Sequence, residues 1–405
     1  KGTVGVVGIA RGWLGGSALA QPPALNKKGR VIILGFDGVE PRIVETMLTA
    51  GELPNLAKLR AAGQYQRLGT STPPQSPSAW STFATCSNPG NHGIFDFLRR
   101  SNKKYYIPGL GFSSLQHAKL SSDGTLVTPP EYEAYRQGTT FWRVADEHGA
   151  RCKILLLPYA FPPEDLKNSK VLCGLETPDI RATQSTYFTL SDAINEVENV
   201  PGGMRLPLVF TDGRATVEIP GARDTRQKYS SDEAFVKAPV QISVDREAGT
   251  ASIDVQGQRV SIKVGEATPW LAWRFSLSPS YAVHAISRIH ARRIDSEVLF
   301  YMTCLQFDPR TPYAPMSTPS SYAKELVDRY GLYKTIGWAY DTKAMQKDDI
   351  DERMFLADVR DTMAWREQLT LDELDTDDFD LLLAGWTATD RAAHMFWRYR
   401  DPKHP

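Results

Sequence analysis

Two apolar segments that lie far apart in the chain each lead into side chains that can bind metal ions. Asp37 follows the segment 31–36, and Asp390 and His394 follow the segment 381–386. In open α/β sheets, functional sites collect at the carboxyl ends of parallel strands. Carboxylate oxygens and imidazole nitrogens are common ligands of divalent ions. The segments therefore predict two strands that meet at a metal site, although an Asp after a strand can also simply cap a turn.

Ser76 adds a candidate nucleophile to these residues. It is followed by Pro77, which is typical of an N-cap with proline at the first helical position. A helix N-terminus favours negative charge, so a serine hydroxyl that is activated there by a metal ion can attack phosphorus. Ser78, in the same first turn, is the alternative nucleophile. A purely structural N-cap is the other interpretation of Ser76.

Together these segments resemble the type I phosphodiesterase/nucleotide pyrophosphatase family of the alkaline phosphatase superfamily. In that family an Asp ends the first strand, and a Thr or Ser nucleophile precedes a Pro-x-x-His-Gly element by a fixed interval. A Thr-Asp-x-x-x-His segment follows later in the chain. The residues that match this pattern are Asp37, Ser76, Pro89, His92, Gly93, Thr389, Asp390 and His394.

The resemblance implies a metal-dependent hydrolase of phosphate esters with two divalent ions, most often zinc. Asp37 and Ser76 would contact one ion, and Asp390 and His394 the other. Ser76 would form a phosphoseryl intermediate that water then hydrolyses. A phosphotransferase or mutase on the same fold and a non-catalytic binding protein are the alternative functions.

Further residues are weaker candidates for supporting roles. Thr389 is expected to position Asp390 unless it is simply solvated. Arg391 is expected to contact an anionic substrate unless it belongs to a solvated helix face. His92 is expected either to support the site or to tie a loop. The loops Phe161-Pro-Pro and Thr177-Pro-Asp179 follow predicted strands and are expected to line the cleft.

The chain departs from the family pattern in two places. Phe97 stands where eukaryotic nucleotide pyrophosphatases have an Asn that hydrogen-bonds a phosphoryl oxygen. The family also has an Asp-His-Gly segment and a distal His downstream of the Thr-Asp segment, and the printed sequence contains no Asp-His dipeptide. We expect these further ligands to follow Pro405.

The composition is that of a globular protein with no strong charge bias. The 47 basic residues balance the 47 acidic residues, which argues against a general nucleic-acid or membrane-surface role. The expected partner is a small phosphorylated substrate, and the oligomeric state is not determined by the sequence. Residues 1–29 are expected to be a leader or signal remnant with Ala18-Leu-Ala20 as the cleavage site, which favours a periplasmic or secreted protein over a cytoplasmic one. No later segment is apolar enough to span a membrane.

The pattern of apolar residues predicts an α/β fold with a largely parallel sheet flanked by helices and an inserted antiparallel β-sandwich. Alternating strands and helices place the α/β domain at residues 30–200 and 307–405. A period of two between residues 201 and 306 predicts the insert. The strands expected there include Val240–Val244, Ala251–Val255 and Val260–Val264, and a further strand is expected in the first part, at Tyr65–Ser71.

Overall fold

The computed structural model describes residues 29–100, 111–228, 234–401 and 403, together with the backbone of two short strands at residues 5–9 and 108–110. The helices are α1 (Pro41–Thr49), α2 (Pro54–Ala62), α3 (Ser76–Thr85), α4 (Pro89–His92), α5 (Phe141–Glu147), α6 (Tyr322–Tyr330), α7 (Thr342–Gln346), α8 (Glu352–Leu374) and α9 (Ala388–Arg400). The first twelve strands are β1 (Gly5–Ile9), β2 (Val31–Phe36), β3 (Leu98–Arg100), β4 (Pro108–Leu110), β5 (Ser113–Gln116), β6 (Lys119–Leu120), β7 (Leu126–Thr128), β8 (Glu131–Ala134), β9 (Cys152–Leu155), β10 (Lys170–Leu172), β11 (Tyr187–Ser191) and β12 (Glu198–Val200). The others are β13 (Gly203–Pro207), β14 (Arg214–Arg223), β15 (Phe235–Asp245), β16 (Thr250–Val255), β17 (Gln258–Lys263), β18 (Leu271–Ser276), β19 (Ala282–Ser287), β20 (Ile289–Ile294), β21 (Val298–Met302), β22 (Gln306–Phe307), β23 (Ser317–Thr318) and β24 (Leu381–Trp386).

A six-stranded mixed sheet organises the α/β part, in the order β1-β2-β24-β9-β10-β23. The four inner strands run parallel to one another, and the two edge strands are antiparallel to them. Every residue of β24 and β9 is buried, as expected for inner strands of a parallel sheet that is covered on both faces. Helices α5, α6, α8 and α9 pack against this sheet. The prediction of an α/β fold with a parallel-containing sheet and flanking helices is therefore confirmed.

The region between β11 and β22 is rich in antiparallel strands. Strands β14, β15, β16 and β17 form a four-stranded antiparallel sheet, and β18, β19 and β22 form a three-stranded one. Buried and less buried residues alternate along β16, because successive side chains of a strand point to opposite faces. The strands expected between 240 and 264 are present. That these sheets constitute an inserted sandwich domain stays a prediction.

The strand predicted at Tyr65–Ser71 is wrong. The chain is irregular from residue 64 to the start of α3, and Tyr65 and Leu68 are exposed. A strand needs a neighbouring strand to receive its backbone hydrogen bonds, and none is paired with this segment among the described residues. The expected cleavage site Ala18-Leu-Ala20 lies outside the described residues. Within the part of the chain that the structure describes, no helix has the length and apolarity needed to cross a membrane.

A buried ion pair ties the centre of the sheet to its covering helix. The side chain of Lys153, on β9, is only 3% exposed, and its Nζ lies 2.5 Å from both Glu373 Oε2 and Asp378 Oδ1. Glu373 lies in the last turn of α8 and also pairs with Arg329. The ammonium group therefore links β9, the end of α8 and the segment that enters β24.

Replacing this lysine tests how strongly the link stabilises the fold. We expect Lys153→Met to lower the free energy of unfolding by about 3 kcal/mol, because removing one partner leaves a buried carboxylate undercompensated. Arg329 still pairs with Glu373 in this variant, so we place the decrease in the free energy of unfolding at the low end of the range for such changes. The exposed Lys324→Met serves as the control, with a change of less than about 0.5 kcal/mol. Equal urea-unfolding midpoints for the two variants would contradict the assignment.

Candidate active site

The pairing of β2 with β24 brings the two predicted carboxylates to one edge of the sheet. The strands run parallel with Phe36 opposite Trp386, so Asp37 and the start of α9 follow at the same edge. The backbone N–H of Asp37 donates to Trp386 O at 2.8 Å, and Thr389 Oγ1 donates a short hydrogen bond to Asp37 O. Asp37 and Asp390 are therefore neighbours through two strand ends that are locked together.

Gly38 makes this close approach possible. Its φ is +68°, and a Cβ at this position would lie 2.6 Å from Asp390 Cα. Neither the left-handed backbone nor the contact suits a residue with a side chain. The glycine after Asp37 is thus required by the packing of α9 against the end of β2.

The Asp37 carboxylate is buried beside another acid. It is 0% exposed, and among the described residues no donor forms a hydrogen bond of normal geometry with its Oδ2, although the Trp80 side chain lies near enough to lower the pKa of Asp37. Burial, and next the charge of Asp390, raise the pKa of Asp37 to about 6, while Arg391 opposes the shift. A cation bound at this carboxylate would lower its pKa again, because an opposite charge favours the ionised form.

Ser76 lies against this carboxylate. Its Oγ donates to Asp37 Oδ1 at 3.2 Å, and the residue is buried. The prediction that Ser76 is the N-cap is wrong by one residue. Gln75 is the N-cap, and its carbonyl accepts a hydrogen bond from Ala79 N. Ser76 is the first residue of α3. The Ser76 hydroxyl is thus engaged by Asp37 rather than by the helix backbone. Ser78 Oγ is fully buried and has no hydrogen-bond partner among the described residues.

Asp390 lies between a buried arginine and an exposed histidine. Arg391 Nη1 is 3.5 Å from Asp390 Oδ2, and His394 Nε2 is 3.5 Å from Asp390 Oδ1. The interpretation of Arg391 as part of a solvated face is wrong, because the residue is buried and its guanidinium stacks 3.5 Å from the ring centroid of Trp338. The His394 side chain is 64% exposed.

His92 ties α3 to the loop that follows α4. Its Nε2 lies 3.0 Å from Thr82 Oγ1, and its Nδ1 accepts from Ile94 N at 3.2 Å. Because Nδ1 is an acceptor, Nε2 carries the proton of the neutral ring and donates to Thr82. Burial, and next the charge of Arg136, lower the pKa of His92 in agreement with this neutral form. Among the described residues, neither Asp37 nor Asp390 hydrogen-bonds to His92.

The residues at this edge match a divalent cation in chemical type. Asp37 has an unpartnered buried oxygen, and Asp390 and His394 add a carboxylate and an imidazole within reach of each other. A search of the described residues for three or more His, Cys, Asp or Glu side chains arranged to hold one ion finds no such group. The structure therefore shows two acidic neighbours and one adjacent histidine rather than a complete ligand set.

Sequence reasoning missed the aromatic support of the site. Trp338 lies in the irregular segment after α6 and has no motif around it. Trp80, on α3, is buried with its ring against Gly35 of β2, where a Cβ would lie 2.6 Å from Trp80 Cη2. The sequence could have indicated Trp80, because it lies one helical turn after Ser76 and residues four apart share a helix face.

Comparison with known proteins supports the first part of this motif pattern. The family model described as type I phosphodiesterase / nucleotide pyrophosphatase matches residues 31–230. This part of the chain matches that family, and the resemblance inferred from the motifs is confirmed. The matched range contains Asp37, Ser76 and His92, whereas Asp390 and His394 lie beyond it. No curated protein and no solved structure matches the chain.

A pair of glycine substitutions tests the close approach at Gly38. Gly38→Ala should cost roughly 1–2 kcal/mol for the left-handed backbone and about 1–3 kcal/mol more for the contact with Asp390. Gly51→Ala is a matched control, because Gly51 has a φ of +76° and open space around its Cβ position. Gly51→Ala should lose only the stability that the left-handed backbone costs. Urea unfolding of both variants measures the difference, and equal losses would mean that α9 does not press on Gly38.

Proposed function

We propose that the protein is a metal-dependent hydrolase of phosphate esters of the phosphodiesterase type, with Ser76 as its nucleophile. The match to a family of phosphodiesterases and nucleotide pyrophosphatases supports the reaction class. The observation that carries the proposal is the hydrogen bond from Ser76 Oγ to Asp37 Oδ1 at the sheet edge shared with Asp390. A hydroxyl at the first residue of a helix, bound to a carboxylate, is an activated nucleophile.

In the proposed reaction, Ser76 Oγ attacks phosphorus and its proton passes toward Asp37 Oδ1. The Oγ–P bond forms as the bond from phosphorus to the leaving ester oxygen breaks, and the proton held by Asp37 passes to the leaving alkoxide, which departs as the alcohol. Water then attacks the phosphoseryl group and gives a proton to Asp37. The Oγ–P bond breaks, and this proton returns to Ser76 Oγ. The first turn of α3 favours the negative charge that gathers on the phosphoryl oxygens.

Asp37, Ser76, Asp390 and His394 are the residues that would hold the divalent ions, for which we propose zinc. When bound, such ions polarise phosphoryl oxygens and neutralise the charge of the reacting group. Arg391 holds Asp390 from the opposite side, and Thr389 fixes the backbone of Asp37. These contacts orient the carboxylates before any ion binds, as residues behind metal ligands commonly do.

We also propose that the β-rich region 201–306 is a domain of sandwich type inserted into the α/β domain formed by residues 30–200 and 307–405. Its antiparallel sheets and the contacts of β15 and β16 with β18 support this division. Two faces of β-sheet that pack together would bury the apolar side of each strand.

Substituting the two serines of α3 tests the nucleophile. We expect Ser76→Ala to lower the turnover rate of bis(4-nitrophenyl) phosphate by at least about a thousandfold, because the covalent route is lost. Ser78→Ala, its neighbour in the same turn, should keep activity within a few fold. Circular dichroism and urea unfolding establish that both variants fold. If Ser78→Ala is the inactive variant instead, the assignment of Ser76 is wrong.

Thermal unfolding with added zinc tests the metal ligands. Zn²⁺ should raise the Tm of the wild-type protein, because an ion that binds only the folded state stabilises it. Asp37→Asn and Asp390→Asn should each lose most of this increase, since each removes a charged ligand from the site. The exposed Glu52→Gln is the control and should respond to zinc like the wild type. An unchanged zinc response in both Asp variants would exclude this edge of the sheet as the metal site.

A further inference from the structure

A second cavity opens beside the candidate active site. It has a volume of about 300 Å³ and is formed largely by apolar and aromatic side chains. Its lining residues are Phe97, Leu98, Phe112, Tyr159, Leu175, Glu176, Gln184, Trp338 and Lys343. A cavity of this size and character holds a ring-sized organic group.

Two of the wall residues also face the active site. Trp338 carries the guanidinium of Arg391, which pairs with Asp390. Burial raises the pKa of Tyr159 well above its usual range, and the next largest causes are the charges of Glu176 and Asp37. Tyr159 is therefore near both Glu176 and Asp37, and through Trp338 and Arg391 the cavity adjoins the site proposed for the phosphate.

Phe97 belongs to the same wall and occupies the position at which the motif pattern departs from the nucleotide pyrophosphatases. Its ring meets that of Trp338 edge to face, with 6.2 Å between the centroids. Phe112 meets Tyr159 in the same way at 5.8 Å. Such aromatic pairs fix the walls of a cavity and present ring faces and edges to a planar ligand.

Glu176 is the one acidic residue among the lining side chains of this cavity. It is only 4% exposed, and among the described residues its Oε1 has no hydrogen-bond partner. The nearby Arg136 is engaged elsewhere, since it donates to Tyr159 O and to Glu164 Oε1. A buried polar atom without a partner is costly, and a folded protein tolerates it where a ligand supplies the partner.

The backbone holds Glu176 firmly in this position. Its φ is +103°, a conformation that residues with side chains rarely adopt. Gly337 packs directly on the loop, where a Cβ would lie 2.5 Å from Glu176 N, and its N–H donates to Thr177 O at 2.8 Å. The segment that carries Trp338 thus also clamps the loop of Glu176, so both groups are positioned before a ligand arrives.

The protonation state of Glu176 decides what it can recognise. Burial raises the pKa of this carboxyl group well above its usual range, and the charge of Arg136 only partly opposes the shift. Burial therefore favours the neutral carboxylic acid, whose O–H can donate a hydrogen bond. A neutral donor surrounded by aromatic rings suits an uncharged acceptor such as a carbonyl oxygen.

We propose that this cavity binds the alcohol-derived group of the substrate, and that this group is an uncharged aromatic ring bearing a carbonyl-type acceptor that Glu176 recognises. The proposal rests on the function proposed above, because it takes the phosphate at Ser76 as the other end of the same substrate. It names the substrate class as phosphate esters of such aromatic alcohols. Glu176 acts here as a binding residue and takes no part in the bond changes at phosphorus.

Equilibrium binding of phenols tests the cavity without requiring turnover. The probes are 4-hydroxyacetophenone, which has a carbonyl acceptor, and 4-ethylphenol, which has nearly the same shape without one. Both are titrated by calorimetry or ligand-observed NMR against the full chain. Glu176→Leu should weaken binding of the ketone about tenfold, as expected for one hydrogen bond, and leave 4-ethylphenol unchanged or bound more tightly. Glu176→Gln, which keeps an N–H donor, should retain most of the affinity.

Stability separates recognition from a purely structural role. Glu176→Leu should raise the Tm, because it removes an unpaired buried acid from an apolar wall. A lower Tm together with equal losses for both phenols would show that Glu176 only supports the fold and would overturn the proposal. The exposed Glu325→Gln is the matched control and should change neither binding nor Tm.

Two further measurements separate this proposal from the proposed hydrolysis. Ser76→Ala should bind the ketone as the wild type does. If phosphodiester turnover is present but the ketone does not bind, the cavity proposal fails and the hydrolase proposal stands. If the ketone binds but there is no turnover, the hydrolase proposal fails and the cavity still binds such a ring. Tighter binding of the anion 4-hydroxybenzoate than of the ketone would also overturn the proposal, because Lys343 and not Glu176 would then select the ligand.

Discussion

The parallel pairing of β2 with β24 is the constraint on which the candidate site depends. These strands come from the two ends of the described chain, and their register places Phe36 opposite Trp386. The ladder continues one step further, from Asp37 N to Trp386 O. A shift of one residue would exchange the two faces of the strand. It would also separate Asp37 from Ser76 on one side and from Asp390 on the other.

The same edge of the sheet concentrates buried acids that the fold only partly compensates. Asp37 and Asp390 repel each other, and Arg391 offsets part of that repulsion while it packs on Trp338. Glu176 is buried on an apolar wall with no hydrogen bond to Oε1 from the described residues. The buried Lys153, by contrast, is paired with two carboxylates. Buried acids with perturbed pKa values and incomplete partners are frequent at functional sites, which agrees with the role proposed for this edge.

The loops that follow the parallel strands share an unusual backbone. Gly38 follows β2, Leu156 and Tyr159 follow β9, and Glu176 follows β10, and all four have a positive φ. A residue with a side chain holds such a conformation only where its surroundings enforce it. Here the loops brace one another, since Tyr159 N donates to Leu175 O at 3.3 Å. The sheet thus supplies a rigid edge on which the side chains of the site are fixed in advance.

The sequence by itself determined three inner strands of the sheet and the acidic residues that follow two of them. Apolar runs bounded by turn residues identify β2, β24 and β9, and the carboxyl-end rule places Asp37 and Asp390 together. The start of α3 was predicted to within one residue, because proline restricts where a helix can begin. These features depend on the periodicity of apolar residues and on turn residues, both of which can be recognised from residues close together in the sequence.

Only the tertiary structure decided which side chains are buried beside the site and which segments find partners. Arg391 is buried because Trp338 covers it, and helical periodicity does not reveal what packs on a given face. Glu176 enters the second cavity because Gly337 clamps its loop, a contact between segments that share no motif. Tyr65–Ser71 has the composition of a strand but is irregular, because a strand forms only where another strand completes its hydrogen bonds. Each of these outcomes depends on contacts between distant parts of the chain, which the order of residues along it does not encode locally.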